Sequence, residues 1–119
     1  MDARAQSDLH AVLGTLEDGL VKVVEVSPDQ RHVDVAQRYL EETHRLKTLA
    51  MTSETLMLSD PSLFKARSLA TSVAVKVAGG DATGALREAN LALGSLTCEM
   101  TSLDGEPIFT GGGPLPPPP

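Results

Sequence analysis

Three helix-start signals divide the chain into four segments, and this division constrains the fold more than any other feature. The signals are Ser27-Pro28, Asp60-Pro61 and Asp81, where a capping side chain precedes a run with apolar residues three and four positions apart. Gly79-Gly80 stands just before the third signal and ends the preceding segment. The spacing therefore predicts four amphipathic helices.

Short connections between amphipathic helices favour antiparallel neighbours. We therefore expect an all-α fold, an up-and-down antiparallel bundle of about four helices, in one domain over residues 1–103. The second helix is expected to start at the Ser27-Pro28 signal and to run to about Leu58, or to break near Thr52-Ser53, because the uninterrupted helix would be about 45 Å long. The fourth helix carries the most regular apolar seam, which consists of Leu86, Ala89, Leu93, Leu96, Met100 and Leu103.

The aromatic content, 3%, is low for a sheet sandwich or barrel, so the core is expected to be aliphatic. The runs from Val21 to Val26 and from Val73 to Val77 are rich in β-branched residues, and either could be a strand. Neither run has a hairpin partner beside it, and a two-stranded sheet alone would be marginal. We therefore expect both runs to be helical.

Residues 104–119 read DGEPIFTGGGPLPPPP, a composition that predicts a Gly/Pro-rich disordered tail. Its prolines favour polyproline II, an extended conformation that can be bound at low entropic cost. The simpler expectation for this tail is a solvated end that binds nothing. The alternative is a ligand for a proline-recognising domain, with contacts from Leu115, Pro116, Pro117, Pro118 and Pro119.

Net charge and cysteine content restrict the classes of partner and the cellular compartment that the sequence favours. The formal net charge is -6 with no cluster of basic residues, which disfavours nucleic acid. Cys98 is the sole cysteine, so an intramolecular disulfide is excluded, and it is expected to be a small buried apolar residue. The beginning of the chain does not resemble a secretory signal, and no apolar run is long enough to cross a bilayer. We expect a soluble, cytoplasmic protein that binds neither nucleic acid nor membrane.

Most catalytic signatures are missing from the sequence. It contains no phosphate-binding loop, dinucleotide fingerprint, serine-hydrolase elbow or zinc-protease motif. His10, His32 and His44 lack the spacing of a metal site, and acidic pairs such as Glu17-Asp18 and Glu41-Glu42 are typical of solvated helix faces. We therefore expect no enzyme activity, no cofactor and no metal.

One segment, Glu41 to Thr48, carries the pattern H-x-x-K through His44 and Lys47. Positions i and i+3 share a helix surface, so the lysine could approach a phosphate on the imidazole. The segment resembles the core of histidine-containing phosphotransfer domains, and the resemblance implies a phosphoryl relay through His44. The chain departs from that family at Thr48, where the family usually has glycine, and at Glu41-Glu42, which would place negative charge beside a phosphohistidine.

A second apolar line on the second helix favours a different function. Val33, Leu40 and Met51 lie outside the main stripe, and a small bundle need not bury both sides of one helix. This line predicts a non-catalytic protein-protein interaction module, such as a small subunit or adaptor, whose partner is another protein or a second copy of the chain. The phosphorelay through His44 is the alternative hypothesis.

Overall fold

The computed structural model describes residues 3–52, 57–101 and 115–119, and it contains four α-helices within them. They are α1 (Ala3–Val26), α2 (Gln30–Thr52), α3 (Asp60–Ala78) and α4 (Ala82–Glu99). Within the described residues, the one β pairing is an isolated bridge between Met57 and Thr101. The predicted all-α fold is confirmed, and both valine-rich runs are helical.

The second helix begins later than the sequence predicted, and it ends at Thr52, where the sequence offered a break near Thr52-Ser53 as an alternative to continuing to about Leu58. Asp29 Oδ1 accepts the backbone N–H of Arg31 at 2.9 Å, so the aspartate satisfies a first-turn donor and α2 begins at Gln30. α2 ends at Thr52, and Leu58, to which the helix was expected to extend, is not helical. Residues 53–56 lie outside the described part of the chain.

The other predicted starts are close to the observed ones. Ser59 caps α3, one residue before the predicted aspartate, and its Oγ accepts the N–H of Ser62 at 3.2 Å. Asp81 caps α4 as predicted, with Oδ1 accepting the N–H of Gly84 at 2.8 Å. Gly80 between them has a φ of 80°, a left-handed conformation that glycine adopts without steric penalty. These features make the connection between α3 and α4 tight.

The four helices form an up-and-down bundle, as predicted. α1 packs against α2 and α3, and α4 packs against the same two helices, so the consecutive helices α2 and α3 lie on a diagonal. Gln6 donates to the carbonyl of Ala50 at 2.7 Å, which joins the start of α1 to the end of α2. Asp8, in the first half of α1, lies 3.6 Å from Arg67, in the first half of α3. α1 therefore runs antiparallel to α2 and parallel to α3.

A histidine joins the starts of α2 and α4. His32 Nδ1 lies 3.3 Å from Ser27 Oγ, and its Nε2 lies 3.1 Å from Thr83 Oγ1. Because Thr83 is in the first turn of α4, these two helices begin at the same end of the bundle and run parallel. The surface between them is named here the α2/α4 groove.

The core is aliphatic, as predicted, with one aromatic ring, Tyr39, among the buried described residues. The predicted seam of α4 belongs to this core, apart from Leu103, which lies outside the described residues. The leucines that are at most 1% exposed are Leu9, Leu13, Leu16, Leu20, Leu46, Leu86, Leu93 and Leu96.

Gly19 allows α1 and α3 to approach closely. A Cβ atom at this position would lie 2.8 Å from Cγ1 of the buried Val73. Valine is stiff at χ1, so its methyl group cannot easily turn away. A glycine that lowers helix propensity by about 1 kcal/mol relative to alanine thus serves the packing of the bundle.

Leu93 and Leu91 offer a matched test of the α4 seam. Leu93 is fully buried, whereas Leu91 is 54% exposed. We predict that Leu93→Ala lowers the free energy of unfolding by about 2–5 kcal/mol, because it leaves a cavity in the core. Leu91→Ala is expected to change it by no more than about 0.5 kcal/mol. Urea denaturation followed by circular dichroism measures both, and equal losses would show that the seam is not the core.

Candidate functional site

His44 and Lys47, the residues of the H-x-x-K pattern, converge on a carboxylate of α1. His44 is exposed, and its Nε2 lies 3.5 Å from Oε2 of Glu17. Lys47 Nζ lies 3.5 Å from the same oxygen. The lysine is therefore already paired with an acidic group, and the arrangement links α1 to α2.

The acidic pair Glu41-Glu42 was predicted to be a solvated helix face, and this prediction is wrong for Glu42. Glu41 is exposed, but Glu42 is only 3% exposed. Arg45 donates to Glu42 Oε2 at 3.0 Å, and the Arg38 guanidinium lies 3.8 Å from the same oxygen. Two arginines one turn away on either side therefore compensate the buried charge of Glu42.

The second apolar line of α2 is only partly available to a partner. Leu40 packs against the core, Val33 is half-buried, and Met51 is 68% exposed. Leu40 shares one helix face with His44 and Lys47, at spacings of four and seven residues. Because these two residues reach Glu17 on α1, this flank of α2 faces α1, and the helix pair uses much of the predicted line for its own packing.

The strongest site-like arrangement involves the last part of the tail. The Tyr39 hydroxyl donates to the carbonyl oxygen of Pro116 at 2.7 Å. Asn90 Nδ2 donates to the Tyr39 hydroxyl at 3.0 Å and lies 3.4 Å from the same carbonyl oxygen. Leu115, the preceding residue, packs against the core cluster. Residues 115–119, named here the Leu-Pro segment, therefore lie on the α2/α4 groove.

The exposure of the Leu-Pro segment follows the geometry of an extended chain. Leu115, Pro116 and Pro118 are half-buried, whereas Pro117 and Pro119 are exposed. A polyproline II helix has three residues per turn, so positions 115 and 118 share one edge. That edge faces the bundle. The disordered tail was predicted over residues 104–119. Its positions 115–119, the predicted ligand, are found against the chain's own helices, and residues 104–114 lie outside the described part.

The groove matches the hydrogen-bonding chemistry of proline. Proline has no backbone N–H, so each proline of the segment offers only a carbonyl acceptor. The bundle supplies the complementary donors, the phenol of Tyr39 and the amide of Asn90. Burial raises the pKa of the Tyr39 phenol above its ordinary value, and the hydrogen bond from Asn90 offsets part of this effect. The phenol therefore stays protonated and able to donate at neutral pH.

Other candidate chemistry is sparse in the described residues. Cys98 is exposed on α4, so the expectation of a buried apolar cysteine is wrong. Among the residues that the structure describes, no three His, Cys, Asp or Glu side chains are grouped so that they could hold a metal ion. Within the same residues, no helix has the length and apolar character needed to traverse a bilayer.

Comparison with known proteins leaves the family of the chain open: no protein-family model, no curated protein and no solved structure matches it.

Sequence reasoning missed the Tyr39-Asn90 pair, although each residue gave a signal. Tyr39 is the sole tyrosine of the chain, and a buried tyrosine usually finds a hydrogen-bond partner for its hydroxyl. Asn90 follows Ala89 of the apolar seam, an unusual place for an amide side chain. Periodicity alone could not show that the two residues face each other across the groove.

Glu42 and Glu41 provide a second matched test. We predict that Glu42→Ala lowers the free energy of unfolding by about 1–3 kcal/mol, because Arg38 and Arg45 lose a buried charged acceptor. The adjacent Glu41→Ala is expected to change it by less than about 0.5 kcal/mol, since that side chain is largely in water. Urea denaturation at neutral pH measures both values. Losses of the same size would contradict the buried role of Glu42.

Proposed function

We propose that the chain is a non-catalytic protein-protein interaction module, a small subunit or adaptor, that holds an extended segment in the α2/α4 groove. The observation that supports this role is the contact of Tyr39 and Asn90 with the carbonyl of Pro116. The preceding residue, Leu115, packs against the core. The bundle here contacts a proline-rich backbone that belongs to no helix or strand. Recognition of such a backbone is a common mode of peptide binding.

The groove has the properties of a preorganised binding site. Tyr39 is fully buried, so core packing fixes its ring, and Asn90 fixes its hydroxyl from α4. The hydrogen bond between Asn90 and Tyr39 belongs to the bundle alone, so it can hold the phenol before a segment arrives, which reduces the entropy lost on binding. The contact to the carbonyl sets the register of the bound segment, and the neighbouring leucine adds apolar burial. In this proposal the line of Val33, Leu40 and Met51 has a secondary role, through the exposed Met51.

A binding assay with a tail peptide tests the proposal. The probe is a fluorescent peptide of residues 111–119, capped at both ends. The receptor is the full chain with Leu115→Ser, a substitution that weakens the packing of the chain's own Leu-Pro segment against the core. We predict saturable binding by fluorescence polarisation. Adding Tyr39→Phe is expected to weaken it about two- to tenfold, the effect of one lost hydrogen bond.

The control for this assay is the same peptide with serine in place of Leu115, which is expected to bind much more weakly. An absence of saturable binding to a receptor that circular dichroism shows to be folded would contradict the proposed function.

Phosphoryl relay through His44 is the second candidate, favoured by one observation: the His44 side chain is 66% exposed. Its surroundings oppose it. A phosphoryl group on Nε2 would bring negative charge to the Glu17 carboxylate, which lies 3.5 Å from that nitrogen. Lys47, the residue expected to neutralise the phosphate, is already paired with Glu17.

Phosphate labelling discriminates between the two functions. We predict that neither the wild type nor His44→Ala becomes labelled with acid-labile phosphate when incubated with a histidine kinase or a small acyl phosphate. The substitution is expected to change the free energy of unfolding by no more than about 0.5 kcal/mol, because the side chain is exposed. Labelling of the wild type alone, and stronger labelling of Glu17→Gln, would support the relay instead.

A further inference from the structure

Building on the proposed function, we infer that the α2/α4 groove is selective for extended segments that contain Leu-Pro. We further infer that the chain's own Leu-Pro segment occupies this groove in cis, as a built-in competitor of the partner. The partner is thus a protein with an exposed, proline-rich Leu-Pro sequence, and the groove is available to it only when residues 115–119 leave.

The ligand class follows from the contacts of the bound segment. Both polar contacts from the groove go to a single carbonyl oxygen, that of Pro116. Consecutive prolines can lie against helices without burying an unpaired N–H group, because they have none. They also hold the extended conformation before binding, so little further entropy is lost. The leucine that precedes them supplies the apolar contact with the core.

Chain length allows the segment to reach the groove of its own molecule. Asn90 stands eleven residues before Thr101, a distance of about 16 Å along a helix. Thirteen residues separate Thr101 from Leu115 and can span about 43 Å when extended. The connection is therefore long enough for the Leu-Pro segment to reach the groove of its own molecule, so the segment need not come from a second copy of the chain.

The short connection also explains why the segment would be an effective competitor. Tethering a ligand by a connection of this length gives it an effective concentration on the order of millimolar. A partner then binds only to the fraction of molecules whose groove is open, so its apparent affinity falls by that fraction. Weak contacts by the Leu-Pro segment are sufficient for this effect.

Three measurements test the inference: peptide affinity, the titration of Tyr39 and the oligomeric state. Each is made on the full-length wild type and on Leu115→Ser. The control is Pro119→Ser, which alters an exposed residue of the same segment. The capped peptide of residues 111–119 is expected to bind Leu115→Ser at least about tenfold more tightly than the wild type or the control. Tyr39 is the sole tyrosine and the chain has no tryptophan, so ultraviolet absorbance follows this phenol alone. Light scattering is expected to show monomers.

The Tyr39 titration reports whether the segment lies on the groove. We expect a higher pKa for Tyr39 in the wild type than in Leu115→Ser, because the segment shields the phenol from water and its Pro116 carbonyl accepts a hydrogen bond from the protonated phenol. Circular dichroism at each pH confirms that the chain stays folded. Equal pKa values in the two proteins would overturn occupation in cis.

The outcomes separate the inference from the proposed function. Equal peptide affinity for wild type and Leu115→Ser would overturn the competition and leave the interaction module standing. Binding to neither protein would overturn both. A wild-type dimer that is lost in Leu115→Ser would show that the segment of a second copy fills the groove, and this would overturn the assignment in cis.

Discussion

The burial of one hydroxyl group links the core of this bundle to its surface. Tyr39 is the only ring in the described core, and with the Leu-Pro segment in place its side chain is fully buried, so its hydroxyl finds its partners within the protein. An unpaired buried hydroxyl would destabilise the fold by about 1–3 kcal/mol. Asn90 donates to this oxygen and Pro116 accepts from it, which meets the requirement in both directions. The position of the Leu-Pro segment is therefore tied to a residue of the hydrophobic core.

The spacing of the helices determines where an extra segment can lie. Gly19 brings α1 close to α3, and α4 packs extensively against α3. The α2 and α4 pair is in less extensive contact than either helix is with its other neighbour. The Leu-Pro segment contacts the bundle on this side, through Tyr39 and the core cluster, and an extended chain needs less width than a helix. The segment thus completes the side of the bundle that the helices close least tightly.

Features that depend on neighbouring residues could be predicted from the sequence, and features that depend on distant ones could not. Apolar periodicity and the Asp81 cap are local, so the four helices and the α4 seam were predicted correctly. The burial of Glu42 depends on how α2 sits in the bundle, and its sequence neighbours gave no sign of it. The contact of Tyr39 with Pro116 joins residues 77 positions apart, so no periodic pattern contains it. The line of Val33, Leu40 and Met51 predicted on α2 omits Tyr39 for the same reason.

The polar residues of α2 act on two flanks, and this division favours a binding role over a catalytic one. On the α1 flank, Lys47 and His44 meet Glu17, and the chemistry of that cluster is internal charge pairing. A doubly charged phosphoryl group there would repel the Glu17 carboxylate and compete with it for Lys47. The repulsion energy is about 1 kcal/mol for each pair of unit charges 4 Å apart in water. On the α4 flank, Tyr39 offers a donor to a backbone carbonyl. A donor held rigidly toward an extended chain fixes its register and needs no reaction, which is the property of a recognition surface.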